Sequence, residues 1–421
     1  MEVIIVGAGI GGLTLGLMLH RAGIPFRVYE AAPEIKPVGV GINILPHASK
    51  ELCELGLEEA LTRVAVTTAE SRFFNRFGQF IWSEPAGRFA GYAWPQYSIH
   101  RGDLQRVLLE ALVARAGPDC VRTGRQCTGA DQDTQGVTVR FENPVTRAPW
   151  PAQRGSVVVS CEGLHSTLRK QLHPEEGEPV YSGVNMWRGV TRWPPFLSGA
   201  SMTRVGWFTP AKMVIYPIRN RVDESGRQLV NWVVEVQTPR HQQRDWNRAG
   251  RLEDFFDRIA DWRFDWLDVP EFLRRSEMVL EFPMVDQDPL PWWGQGRITL
   301  LGDAAHPMVP RGSNGAGQAI LDCRELCTCL AEIADPVQAL QAYEGRRLPA
   351  TSNVVLTNRK NPPDAILREV YLRTGDRPFA RIEDVISRAE LTALSEGYKR
   401  VAGYDQESLR ERSTESAKAR G

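Results

Sequence analysis

The sequence has no surplus of either charge: 51 Lys+Arg stand against 51 Asp+Glu. A chain of zero net charge lacks the electrostatic footprint for nucleic acid or an anionic membrane surface, so neither is expected as the main partner. Long apolar runs are missing as well. A bilayer-crossing helix needs about 18 or more consecutive apolar residues, and no such run occurs. The opening "MEVIIVGAGIGG" is apolar, but it lacks the basic start and small-residue cleavage site of a secretory leader and reads as a strand. Metal-ligand spacing is absent too. The seven cysteines are an odd number, and Cys323, Cys327 and Cys329 stand as C-x3-C-x-C with no histidine near them. That spacing fits no structural metal site, so they read as small buried residues in a reducing cytoplasm, and no metal is expected. No internal repeat is present. What remains is ordinary: 421 residues, 42% hydrophobic and 24% charged, enough for two or three domains around a sizeable core.

The informative stretch is "EVIIVGAGIGGLTLGLMLHRAGIPFRVYE" (2–30). A short apolar strand runs into Gly7, Ala8, Gly9, Ile10, Gly11 and Gly12, which spell G-x-G-x-x-G. A helix over about 11–22 and a second strand ending at Glu30 follow. In such a unit the first glycine permits a tight turn, the second lets backbone approach a pyrophosphate, and the third lets helix and strand pack closely. The helix start presents free N–H groups and a positive dipole end to phosphate. Glu30 is placed to accept hydrogen bonds from an adenosine ribose. Dinucleotide binding follows; whether the dinucleotide is FAD or NAD does not.

Further along, "HASKELCELGL" reads as a helix, "RFFNRFGQFIWSE" (72–84) as a hairpin and "YSIHRGDLQRVLLEALVARAG" (97–117) as the start of a long amphipathic helix. "VTVRFEN" (137–143) and "SVVVSCEG" (156–163) read as strands. Near the far end, "RITLL" (297–301) runs into "GDAAHPMVPRGSNGAGQAILD" (302–322), an Asp and a Pro/Gly-rich loop before a helix.

These motifs, in this order, resemble the single-component FAD-dependent aromatic hydroxylases, over roughly residues 1–360: G-x-G-x-x-G with Glu30, "SIHRGDLQRVLL", "CEGLHSTLR" (161–169) and the late "GDAAHP" stretch. "VGVGINILP", "WPQYSIHRGDLQ", "MWRGVT", "DWNRAGRLEDF" and "FPMVDQDPLPWWGQGRITLLGDAAH" are most similar to the phenazine branch, flavin hydroxylases acting on 5-methylphenazine-1-carboxylate. The resemblance implies an α/β fold: a Rossmann-like FAD-binding domain of p-hydroxybenzoate-hydroxylase type, an antiparallel β-sheet substrate domain, and C-terminal helices. It implies FAD as bound cofactor. Arg101 would lie beside the FAD phosphates, and Gly41 and Ile42 near the flavin ring. Gly302 and Asp303 would approach the ribityl or ribose region. The loop with Gly312, Ser313, Asn314 and Gly315 would run under the isoalloxazine, its N–H groups facing the N1/C2=O edge. Two departures stand out. The middle motif is Glu162-Gly163 where the family has Asp-Gly, and the late loop has Ser313-Asn314-Gly315 where Gly-Gln-Gly is usual.

The expected organisation is an FAD-binding domain over 1–175 and 286–360, a β-rich substrate domain over 176–285, a helical segment over 361–402 and a disordered tail over 403–421. "RLEDFFDRIADW" (251–262) reads as an amphipathic helix crossing the β-rich region, whose tryptophans suit a flat aromatic substrate. There is no second dinucleotide fingerprint, so NADH or NADPH would dock transiently. The implied reaction hydroxylates a small aromatic or heteroaromatic substrate with O₂, through a C4a-hydroperoxyflavin, in a cytoplasmic monomer or homodimer. Oxygenation of a non-aromatic natural product, or flavin binding without turnover, are the alternatives. No residue stands out as a catalytic base, and His306 reads as structural.

Overall fold

The computed structural model describes residues 1–36, 39–238, 248–360 and 364–409. Its first layer is a five-stranded parallel sheet in the order Ile298–Leu300, Val157–Ser160, Val3–Val6, Phe26–Tyr29 and Val121–Arg122. The strand Val3–Val6 sits at its centre. Four consecutive apolar residues buried on both faces are what a parallel strand covered by helices requires. The fingerprint helix is Ile10–Arg21, and the helix after the late loop is Gly315–Glu332. Because the strands at 3–6 and 298–300 flank one strand, Val157–Ser160, the two glycine turns that follow them come out at the same edge of the sheet. Of the two strands expected to return to this domain, 156–163 joins the parallel sheet through Val157–Ser160, while 137–142 form a separate three-stranded antiparallel sheet with 126–132 and 149–155.

The second layer is an eight-stranded sheet, antiparallel except where Ser201–Trp207 meets Glu70–Phe74. It is not confined to 176–285. The hairpin Glu70–Phe74/Phe80–Pro85 supplies two of its strands, turning over Asn75–Gln79.

Side chains alternate faces along a strand, and here the alternation sorts chemistry. Trp187, Met213, Ile215, Trp232 and Val234 face the rear and pack with Phe255, Ile259 and Trp262. Met186, Arg188, Arg204, Lys212, Tyr216 and Glu235 face forward, around a common cavity. Of the tryptophans expected to suit the substrate, Trp187, Trp232 and Trp262 are therefore rear-face core, where each large side chain contributes about 2 kcal/mol through burial.

The segment 251–262 is not an α-helix. It forms two short 3₁₀ turns, Leu252–Asp254 and Phe256–Arg258. Phe255, Ile259 and Trp262 keep helical spacing and are all buried. Apolar periodicity marked the buried face correctly, but packing on the sheet took precedence over local propensity.

At the C-terminal end, helices Ala365–Thr374 and Arg388–Ala402 follow the long helix Pro336–Lys360. Arg388–Ala402 begins with a capping box, Ser387 and Glu390 bonding reciprocally. Of the expected tail, 410–421 lie outside the described residues. Residues 403–409, which were also expected in the disordered tail, are packed on the fold instead: Tyr404 stacks on His47 and Leu409 is buried. All seven cysteines are free thiols, and no metal-ligating cluster occurs among the described residues. Burial pushes the Cys161 and Cys323 thiols upward, which keeps them protonated and unreactive. No described helix is long and apolar enough to cross a membrane.

Candidate functional site

A trough runs along the edge where the two glycine turns emerge. One end, about 580 Å³, is lined by Gly7, Gly9, Glu30, Arg101, Arg125 and Glu162 among others. The other, about 390 Å³, is lined by Gly9, Ile10, Gly11, Gly41, Ile42, Gly302, Asp303, Ser313, Asn314 and Gly315. Gly9, Arg101, Cys161 and Gly163 belong to both ends.

The first turn is fixed by backbone: Gly7 donates to the Tyr29 carbonyl at 2.7 Å and Cys161 to the Val6 carbonyl at 2.7 Å. Ala8 does not line the trough. Its N–H donates to Glu30 Oε2 at 2.7 Å, and its carbonyl accepts from Gln105 Nε2 at 2.8 Å. Glu30 Oε1 accepts from Ala32 N–H at 2.8 Å, so each carboxylate oxygen holds one amide and keeps a lone pair for another donor. No side chain caps the helix that starts at Ile10.

Gly9 and Gly12 differ in kind. A Cβ on Gly12 would lie 1.9 Å from the Gly7 carbonyl oxygen, so that glycine serves close packing and is away from the trough. A Cβ on Gly9 would meet nothing within 4 Å. Arg101 reaches the trough, and its guanidinium has no carboxylate partner among the described residues.

The late turn is held from beneath. Asp322, wholly buried, accepts Gly302 N–H at 3.1 Å, pairs with His306 Nε2 at 2.6 Å and accepts from Arg347 Nε at 2.7 Å. His306 is thus a buried structural group away from the cavity. Arg169, from the middle motif, donates Nη1 to the carbonyls of Ala304 (2.7 Å) and Ala305 (3.0 Å), while Glu176 holds its other edge. Arg169 closes the quoted middle motif, but nothing in the sequence assigned it a role, because the carbonyls it holds lie some 135 residues away. Asp303 is left exposed in the trough with no partner among the described residues, beside the start of helix Gly315–Glu332.

Burial alone would raise the Asp322 carboxyl, but His306 and Arg347 hold it below its ordinary value of 3.8. A carboxyl depressed in the fold contributes stability that is complete above its unfolded value and lost as pH falls through the lower folded value. Asp322→Asn is therefore expected to lower the thermal midpoint at neutral pH and to shrink that loss below pH 4. Equal losses at both pH values in thermal melts would contradict it.

Glu162 lines the trough but turns its carboxylate inward. Oε2 accepts from Ser160 Oγ at 2.8 Å and Ser166 Oγ at 3.1 Å. The longer side chain therefore supports the turn into the helix Thr167–Leu172 and does not extend into the trough.

At its inner end the trough opens into a pocket that shares Asn43, Arg188, Tyr216, Pro310 and Ser313 with it and is also lined by Gly312. Arg188 Nη2 (2.8 Å) and Tyr216 Oη (3.0 Å) both donate to the Gly41 carbonyl, and Gly41 N–H donates to Asn231 Oδ1 at 2.7 Å. Four cations line the pocket: Arg188, Arg204, Lys212 and Arg311. Among the described residues, two carboxylates do so, Glu235 and Asp364. Lys212 pairs with both of them, at 2.9 Å to Glu235, and Arg204 pairs with Asp364 at 3.0 Å. Burial would raise the Asp364 carboxyl, yet Lys212 and Arg204 keep it below the usual range. Nε of Arg188 and Nε of Arg311 are buried with no acceptor. Sequence reading identified none of these six charged groups.

The FAD binding domain family matches residues 1–357. The phenazine 1,6-dicarboxylic acid hydroxylase PhzS of Lysobacter antibioticus is 41% identical over 404 residues, covering 95% of this chain and 97% of that protein. The chain belongs to the FAD-dependent aromatic hydroxylases. This hydroxylase is also 34% identical over 386 residues to the 3-amino-4-hydroxybenzoate 2-monooxygenase PtnB3 of Streptomyces platensis, covering 90% and 91% of the two chains. Klebsiella pneumoniae HpxO, solved with FAD and uric acid, superposes on the hydroxylase with a TM-score of 0.73 over 97% of each chain at 22% identity, a likeness of fold. The fold class expected from the motifs, an α/β flavoprotein with a parallel Rossmann-like sheet and a large antiparallel one, is the one observed.

Proposed function

We propose that FAD lies along the trough and that the enzyme uses NADH or NADPH with O₂ to place one oxygen atom on an aromatic or N-heteroaromatic small molecule in the inner pocket. The observation that carries this reading is the convergence of two glycine-bearing turns, nearly three hundred residues apart, on one trough that opens into the charged pocket.

The residues fit the cofactor. Open space in front of Gly9 suits a pyrophosphate against backbone, and the uncapped helix start and Arg101 suit its charge. Glu30, with lone pairs to spare, would take ribose hydroxyls, and Asp303 the ribityl chain. Gly41 and Ile42 would pass the ring face, and the amides after Asn314 would meet the ring edge that becomes negative on reduction. Gly302, Ser313 and Gly315 would give that edge close backbone. Ala8, Gly12 and Gly312 would act by fixing the turns rather than by touching the cofactor.

Bound FAD would supply the redox and oxygen chemistry. The chain's own contribution is to hold the flavin at the mouth of the inner pocket, orient the ring to be oxygenated, and keep water out. Four cations against two carboxylates leave the pocket positive, so the substrate would carry an anionic group such as a ring carboxylate. Relatives named for a phenazine dicarboxylic acid and a hydroxybenzoate support that class.

The test is direct. Purified protein should be yellow and should oxidise NADH or NADPH faster when a phenazine carboxylate is present. Mass spectrometry should find a product carrying one added oxygen, or a hydroxyl in place of the carboxylate. Colourless protein that takes up no FAD, or bound flavin that neither nicotinamide reduces, would refute the reading.

A further inference from the structure

The C-terminal helix Arg388–Ala402 lies beyond the residues matched by the FAD binding domain family, so family membership gives it no role. It nevertheless reaches the late loop. Tyr398, buried, accepts a hydrogen bond from Asn314 Nδ2 at 2.8 Å and donates to Asn358 Oδ1 at 2.8 Å. The fit on the loop side is tight: Gly312 sits at φ +78, and a Cβ there would lie 1.9 Å from the Tyr398 hydroxyl oxygen. Gln318 Nε2 adds a bond to the Ala402 carbonyl at 3.3 Å.

Asn314 occupies the N-cap position of helix Gly315–Glu332. Asparagine there ordinarily turns its side-chain oxygen onto the first-turn N–H groups. Here it caps nothing. Its backbone is helical (φ −99, ψ −20) instead of extended, and its side-chain oxygen is buried without a partner.

We infer that Tyr398 is a positioning residue for the cofactor: by holding the Asn314 amide, it keeps the N-terminus of helix Gly315–Glu332 uncapped, so that its N–H groups stay available to the flavin. The inference rests on the reading that FAD occupies the trough. Without the tyrosine hydroxyl, Asn314 is free to turn onto its own helix and compete with the flavin for the same donors. The C-terminal segment thereby serves the cofactor site from behind, without touching the cofactor.

The test measures FAD binding, not turnover. Full-length protein is stripped of flavin and titrated with FAD by fluorescence quenching, for wild type, Tyr398→Phe, Asn314→Ala and the double variant. Tyr398→Phe should weaken FAD binding about tenfold, the size of one lost hydrogen bond. Asn314→Ala should weaken it less, about threefold, because no capping group remains to compete. The double variant should match Asn314→Ala, a rescue relative to Tyr398→Phe that a purely structural prop would not give. The bound-flavin absorption band should shift in Tyr398→Phe and return in the double variant.

Tyr398→Phe binding FAD as tightly as wild type, or a double variant no better than Tyr398→Phe, would overturn the inference. Should Tyr398→Phe fail to fold, Asn314→Ala decides: a loss of tenfold or more would mean that Asn314 itself serves the flavin. Wild-type protein that takes up no FAD would instead overturn the functional reading beneath it.

Discussion

Gly9→Val is expected to cost the hydroxylase its FAD, weakening binding at least about a hundredfold, while the flavin-free protein keeps its thermal midpoint. Two facts separate the effects. Gly9 has φ −73 and ψ −172, an extended conformation that valine adopts without strain, and a Cβ there meets no protein atom within 4 Å. Nothing within the chain therefore demands glycine there. On the proposed placement of FAD, a branched side chain at that point would stand where backbone approaches the pyrophosphate. A hundredfold loss is about 2.7 kcal/mol, modest for displacing two charged phosphates from a helix start. Gly12→Ala provides the contrast. Its Cβ would lie 1.9 Å from the Gly7 oxygen and 3.1 Å from the Gly7 carbon, so the turn itself must move, and about 3 kcal/mol of stability should go with or without FAD. FAD titration and thermal melts of both flavin-free variants check the pair. A Gly9→Val protein that holds FAD as tightly as wild type would refute the placement of the cofactor.

That contrast also marks what can be read from the amino acids alone. The first turn is legible because every part of it is local: strand, three glycines, helix and acid fall within about thirty residues, each with its own physical reason. The late turn was reached through family resemblance, since an Asp followed by a Pro/Gly loop is not specific by itself. What stayed hidden is long-range. Arg169 and Asp322 hold the late turn, yet each looks like an ordinary helical charge until its partners are known.

The pocket charges stayed hidden for a related reason. Period-two alternation along "VNMWRGVTRW" and "LVNWVVEVQ" separates two faces of the sheet but does not tell which of them looks at the flavin. Tryptophan drew attention to the wrong face: Trp187 and Trp232 are rear core, and Arg188 and Glu235 on the same two strands line the pocket. Tyr398 lies near the end of the chain, with nothing nearby in sequence to tie it to residue 314.

The second large effect concerns that pocket. Arg311→Met is expected to raise KM for a carboxylate-bearing ring about a hundredfold and to leave an uncharged analogue of the same ring nearly unaffected. Of the four cations, Arg204 and Lys212 are spoken for by Asp364 and Glu235, and Arg188 is committed through Nη2 to the Gly41 carbonyl. Arg311 is only 9% exposed, its guanidinium carbon lies 4.9 Å from the centre of the Phe208 ring, and it has no carboxylate partner among the described residues. Asp364 acts on it only at longer range and is already paired with Arg204 and Lys212. A buried cation without a contacting anion is costly, and an anionic ligand that pairs with it recovers that cost. A charge-assisted hydrogen bond is worth about 1.5–3 kcal/mol, which brings the expected change to between about ten- and a hundredfold, with burial favouring the upper end. The sign of the stability change gives an independent check. Replacing a buried charge that has no contacting anion by an apolar side chain of similar length should leave the thermal midpoint unchanged or raise it. Lys212→Met should do the opposite, because it strips one cation from two buried carboxylates. Steady-state kinetics on the two rings, with melts of both variants, decide the matter. If the charged and neutral rings lose equally in Arg311→Met, the arginine shapes the pocket rather than reading a carboxylate.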